Sequence, residues 1–197
     1  MDGRLAIIWL KAGCLSFKKG KGRSMMKRKF VNLLFIIPFI LFIFLLLFIP
    51  VSDALVFQYQ NSGNTLAYIP ISEGETFQMK YTHSIHLSDV VESYEITNDR
   101  QIKQYELMYE DFAIGMPENA SEGEIFEQKD GKYYLKNMDR RFPSFDLRVG
   151  KVRANHTVIF EGKEYPLSRV IEPGTWVRIK IERINLWQRW KGVNMLE

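Results

Sequence analysis

Residues 30–51 read Phe-Val-Asn-Leu-Leu-Phe-Ile-Ile-Pro-Phe-Ile-Leu-Phe-Ile-Phe-Leu-Leu-Leu-Phe-Ile-Pro-Val, 22 positions without a Lys, Arg, Asp or Glu. As a helix rising about 1.5 Å per residue, such a run extends roughly 33 Å, the thickness of a bilayer's hydrocarbon core. Pro38 removes one intrahelical hydrogen bond and can kink the helix, while Pro50 falls where a helix would be leaving the hydrocarbon. The expected element is one transmembrane helix over 30–51, with the rest of the chain divided by it.

Charge orients that element. Nine of the 27 Lys and Arg residues lie in the first 29 positions, where Asp2 is the only acid, giving +8; the remaining 18 basic and 22 acidic residues give −4 from Phe30 onward. Lys27, Arg28 and Lys29 abut the apolar run, so the positive-inside rule places a basic tail, residues 1–29, in the cytoplasm and residues 52–197 outside it. The same residues fit a secretory signal cleaved after Ala54, but the run exceeds the usual 7 to 15 residue apolar region, which favours an uncleaved signal anchor in the cell membrane. Within residues 1–24, Leu5-Ala-Ile-Ile-Trp-Leu10 is too short to span and the Lys-Gly-rich stretch after it holds no core-forming pattern; Met25 or Met26 is an alternative start that would make them an upstream artefact. The pI of 9.1 thus reflects a tail beside a lipid-soluble segment and not a basic folded face, which argues against nucleic acid as a partner. The single Cys14 leaves no intrachain disulfide and no cysteine zinc cluster.

After Ser52 the pattern turns to period two, with Gly, Pro, Asn and Asp between short segments, as in an all-β domain. Strands are expected at 55–59, 66–70, 75–83, 90–97, 102–109, 123–129, 132–137, 145–149, 157–160, 164–167 and 175–184. Asp130-Gly131 is a favoured two-residue hairpin turn because both central positions need positive φ, and Glu161-Gly162 and Pro173-Gly174 mark two more turns. The last strand alternates Val177, Ile179 and Ile181 with Arg178, Lys180 and Glu182, one face buried and one wet. The expected fold is an antiparallel sandwich or partly open barrel over 52–197.

The same alternation selects candidate site residues. In 75–83 the apolar face carries Phe77, Met79 and Tyr81, and parity puts His83 with them; in 90–97 Glu92 shares the face of Val90, Tyr94 and Ile96. A hairpin pairing Tyr81 with Tyr94 would set His83 opposite Glu92, with Cβ atoms about 4.5 to 5.5 Å apart. Such a pair can satisfy two buried polar groups and fix register, bind a ligand, act as an acid-base dyad, or supply two metal ligands, with His156 on the face of Val158 and Phe160 as a third group. His86 falls in the connection between the two strands. No zinc-protease, phosphate-loop, nucleophile-elbow or calcium-loop motif occurs, and no metal or cofactor is expected. The apolar 113–118 stretch suits a surface loop, and Trp187, Arg189, Trp190 and Lys191 suit a membrane interface, a protein groove or an ordinary packed terminus.

Tyr81-Thr-His-Ser-Ile85, Val91-Glu-Ser-Tyr94, Asp111-Phe-Ala-Ile-Gly-Met-Pro117, and Leu147-Arg-Val-Gly150 with Asn155-His-Thr157 occur in that order, and together they resemble the bacterial domain-of-unknown-function family 1850 over roughly residues 67–181. The resemblance carries over onto His83, Ser84, Glu92, Gly115, Pro117 and His156. It implies a context without a reaction: members are small, often with one N-terminal hydrophobic segment, and are commonly encoded beside TRAP transporters of the TAXI type. The resulting expectation is a membrane-anchored, non-enzymatic accessory that docks on a transporter permease or solute-binding protein. The alternative is an extracytoplasmic sensor or enzyme using His83 and Glu92.

Overall fold

The computed structural model of the 197-residue chain describes residues 22–84, 86–111, 117, 119–151 and 154–197, with side chains from Leu34 onward. It divides into two units, residues 1–44 and 45–197. Helix α1 spans Gly22–Leu46 and contains Pro38. Its described side chains, from Leu34 to Leu46, are apolar and exposed on every side. Among the described residues no helix is long and apolar enough to cross a membrane: the stretch with described side chains would rise about 20 Å at 1.5 Å per residue.

The second unit is a two-sheet sandwich. One sheet contains β1 (Pro50–Tyr59), β2 (Thr65–Pro70), β8 (Phe145–Arg148), β11 (Trp176–Asn185) and β12 (Val193–Asn194), in the order β12-β2-β1-β11-β8. The other contains β3 (Thr76–Thr82), β4 (Asp89–Ile96), β5 (Ile102–Tyr109), β6 (Ile125–Lys129), β7 (Lys132–Phe142), β9 (Thr157–Phe160) and β10 (Lys163–Pro166), in the order β10-β9-β3-β4-β5-β7-β6. Neither sheet closes into a barrel, and the pairing is antiparallel except between β2 and β12. The eleven expected strands are all present, most within two residues of their bounds; β1 begins five residues early, at Pro50, inside the run expected to be helical to Val51, α1 ends at Leu46, and β7 runs five residues further, to Phe142. The Asp130-Gly131 turn has φ of 53° and 76°, the left-handed pair that the hairpin twist requires.

Period two makes the core. Leu55, Phe57, Ile69, Phe77, Met79, Tyr94, Val158, Val177 and Ile179 are buried in one apolar cluster, and Val90, Leu107, Tyr109, Leu135 and Met138 form a second. The two sit along the same inner face of the seven-stranded sheet. Strand β5 reaches that face from Ile102 to Tyr109 only because Tyr105 is an extra residue: Tyr94 pairs with Gln104 and Ser93 with Glu106, so the inward set changes from Ile102 and Gln104 to Leu107 and Tyr109. The opposing strand β7 carries a compensating irregularity between Lys136 and Arg140, where Asn137 has φ of 62°.

Two local readings are corrected. The β3–β4 hairpin pairs Phe77 with Tyr94, Met79 with Glu92 and Tyr81 with Val90, so His83 does not lie opposite Glu92. The ladder closes immediately beyond Thr82 and Asp89: the His83 amide donates to the Ser88 carbonyl at 2.8 Å and the Leu87 amide to the His83 carbonyl at 3.0 Å, with Leu87 at φ 58°. The second correction is a helix after the last long strand, α2 (Leu186–Lys191), followed by β12. Asn185 caps it, accepting from the Gln188 amide while the Gln188 side chain accepts from the Asn185 amide.

Candidate functional site

Strand pairing orders the inner face of the large sheet into rows. One row runs Val158, Met79, Glu92, Leu107, Leu135, Phe126 across β9, β3, β4, β5, β7 and β6. The next runs Tyr81, Val90, Tyr109, Tyr133. Glu92 is therefore the one carboxylate in an otherwise apolar row, at the seam between the two hydrophobic clusters. Parity placed it on the correct face even though the register differed, since a shift of an even number of residues leaves faces unchanged.

A half-buried carboxylate needs hydrogen bonds, and Glu92 finds one on its own strand. The Tyr94 hydroxyl, two residues along and on the same face, donates to Glu92 Oε2 at 2.7 Å. The Tyr94 ring stacks on Phe77 and on Phe145, with centroids 5.1 and 5.5 Å away, which holds the hydroxyl in place. Burial raises the Glu92 carboxyl above its ordinary value of 4.5, partly offset by the Tyr94 hydrogen bond. Burial also raises the Tyr81 and Tyr94 phenols, and the Glu92 charge adds to both. No Lys, Arg or His forms an ion pair with Glu92 among the described residues.

His156 enters from the end of the sheet. Its ring lies 5.6 Å from that of Tyr81, and its Nδ1 accepts from the Gly150 amide at 3.1 Å. Burial lowers its pKa below 6.5, and the accepted hydrogen bond likewise requires Nδ1 without a proton. Gly150 is needed there because a Cβ would stand 2.6 Å from the Ala154 Cβ. Tyr94, Glu92 and Tyr81 thus stand in three successive rows of the sheet, with His156 against Tyr81, and the tyrosines are members that the motifs do not mark as site residues.

The other candidates lie elsewhere. His83 and Ser84 are in the β3–β4 connection, with the His83 and His86 rings 5.6 Å apart. Pro117 offers its carbonyl to the Tyr109 hydroxyl, which ties the 110–124 connection to the second row. Gly115 lies outside the described residues. Among the described residues no group of three or more His, Cys, Asp or Glu could hold a metal ion.

Residues 77–167 match the family described as Domain of unknown function (DUF1850). This segment is a DUF1850 domain. No curated protein and no solved structure is a match. The DUF1850 segment is shorter than the 67–181 expected from the motifs, and its limits follow the architecture. It contains nearly all of the seven-stranded sheet and β8, whereas β1, β2, β11, α2 and β12 fall outside it. The Glu92, Tyr81, Tyr94 and His156 group lies wholly within the DUF1850 part.

Proposed function

We propose that this DUF1850 protein is a membrane-tethered extracytoplasmic β-sandwich with a non-enzymatic, accessory role, docking on a solute transporter of the TRAP class. The observation that carries the tether is α1: from Leu34 to Leu46 it offers apolar side chains to every side, a surface water does not tolerate and hydrocarbon does. The uncharged run continues in the sequence from Phe30 to Val51, long enough for a span, and Lys27, Arg28 and Lys29 precede it. Confinement to the membrane raises the local concentration of a weakly binding domain, so docking needs no large interface.

The interior group fits a structural role within that domain. Glu92 is engaged by Tyr94, and the His156 acceptor nitrogen is already used by the Gly150 amide. A polar pair of this kind at the seam of two clusters specifies the packing of Tyr94 between Phe77 and Phe145.

The test is fractionation of cells carrying the full chain with a C-terminal tag, followed by purification in mild detergent. The chain is expected to stay with membranes through high salt and alkaline carbonate, and external protease is expected to remove the tag from spheroplasts. Permease or solute-binding protein is expected to co-purify. Release by carbonate would overturn the tether; stable membrane retention with neither transporter component recovered in repeated purifications would overturn the docking role.

A further inference from the structure

We infer that α2 is a second membrane contact, seating its tryptophans and cations in the anionic headgroup layer. This rests on the tethered reading proposed above. None of the residues in α2 is buried, so the helix contributes nothing to the core. It is nevertheless fixed firmly: both arms of the capping box are made, Gly192 packs so closely that a Cβ would stand 3.2 Å from Thr65 and Tyr68, and β12 then pairs with β2. A capped helix with five of its six residues exposed is a presented surface.

What it presents suits a bilayer interface. Trp190 is 76% exposed and Trp187 37%, with ring centroids 5.2 Å apart, and Lys191 Nζ lies 4.9 Å over the Trp187 ring. Amphipathic aromatics flanked by long cationic side chains are the residues that settle at headgroup level. Arg189 and Lys191 join no ion pair among the described residues. In a region of net charge −4, two cations two residues apart on the helix that also carries the tryptophans make a face that an anionic surface attracts.

The Trp187 amide donates to the Leu47 carbonyl at 3.2 Å, and the Phe48 ring is 6.3 Å from the Trp187 ring. Phe48, Ile49 and Val51 are themselves exposed. The aromatic patch is therefore continuous with the last residues of the apolar run, where a chain emerging from hydrocarbon meets the headgroups. Trp176 stands at the other end of β11, roughly 30 Å away at 3.3 Å per residue, and serves as an internal control.

The experiment uses the full chain in phosphatidylcholine vesicles with and without phosphatidylglycerol, the quencher being lipid brominated near the headgroup end of its acyl chains. Trp9→Phe, Trp176→Phe and Trp187→Phe together leave Trp190 as the only tryptophan; a second variant leaves only Trp176. Trp190 emission is expected to shift blue and be quenched, more strongly with the anionic lipid, while Trp176 stays unquenched. Replacing Arg189 and Lys191 by Gln, exposed changes that leave the fold intact, is expected to weaken the anionic contact about fivefold per cation. A carbonate-resistant chain whose Trp190 emits as in water, or is shielded without lipid quenching as a protein partner would shield it, overturns this inference and leaves the tether standing. A chain that carbonate extracts overturns the tether itself.

Discussion

Tyr94→Phe isolates the bond on which the interior group depends. The substitution keeps the ring between Phe77 and Phe145 and deletes only the hydroxyl that reaches Glu92 Oε2 at 2.7 Å. A hydrogen bond to a charged group is worth about 1.5–3 kcal/mol, and one between neutral groups about 0.5–1.5 kcal/mol. The loss therefore depends on whether Glu92 is ionised. Its folded-state pKa lies above 4.5, so as pH rises the unfolded chain releases this proton first and the native state binds more protons; stability falls with pH from about 4.5 up through the raised folded value. Removing the hydroxyl removes the influence that lowers that value, so the variant pushes it higher and loses more stability on the alkaline side than on the acid side.

The assay is thermal or urea unfolding of the full chain in mild detergent between pH 4 and 8, with each kcal/mol read as about 2–4 °C in Tm for a domain of this size. Tyr94→Phe is expected to cost up to about 3 kcal/mol at pH 8 and about 1 kcal/mol near pH 4. Glu92→Gln retains a carbonyl acceptor but cannot ionise, so it is expected to flatten the acid-side slope and to reduce the Tyr94→Phe cost to the neutral figure. The reasoning is refuted by a Tyr94→Phe cost that is the same at both pH values, or the same with Gln at position 92.

Two further outcomes follow from the same geometry. His156 is held below its ordinary pKa of 6.5 by burial, so the unfolded chain takes up the proton more readily and stability declines as pH falls below about 6.5; the ring is expected to titrate below 6.5 by NMR, and His156→Gln is expected to remove that decline. Asn185→Ala opens both halves of the α2 capping box and is expected to cost about 0.5–2 kcal/mol, read as lower Tm and as loosened Trp187 fluorescence anisotropy with β-sheet circular dichroism unchanged.

Alternation along one strand was legible, and relations between strands were legible only where a turn declared them. Asp130-Gly131 and Glu161-Gly162 state their hairpins because the second position of each demands a glycine-like φ; the closing residue at Leu87 carries no such mark, so the sequence does not declare the β3–β4 register. The Tyr105 bulge is silent for the same reason, whereas Asn137, a residue that tolerates positive φ, was an available sign of the irregularity in β7. The helix at Leu186 was also available, in the Asn185 and Gln188 spacing of a capping box, but the long alternation of β11 runs straight into it.

The group around Glu92 shows how far parity alone can be taken. Four separated sequence blocks meet at one end of the large sheet, and the meeting of Gly150 with His156 depends on a connection whose path the sequence does not reveal. The partner of Glu92 did not depend on any path. An inward acid on a strand has two kinds of neighbour: residues on adjacent strands, chosen by a register that is hard to infer, and residues two positions along its own strand, present on the same face whatever the register. Tyr94 is of the second kind, and its hydroxyl reaches the carboxylate without help from the hairpin. His83, a candidate of the first kind, required one specific pairing that a shift of the ladder removes. Own-strand partners at two-residue spacing therefore carry more weight than cross-strand ones when a polar residue falls on the buried face.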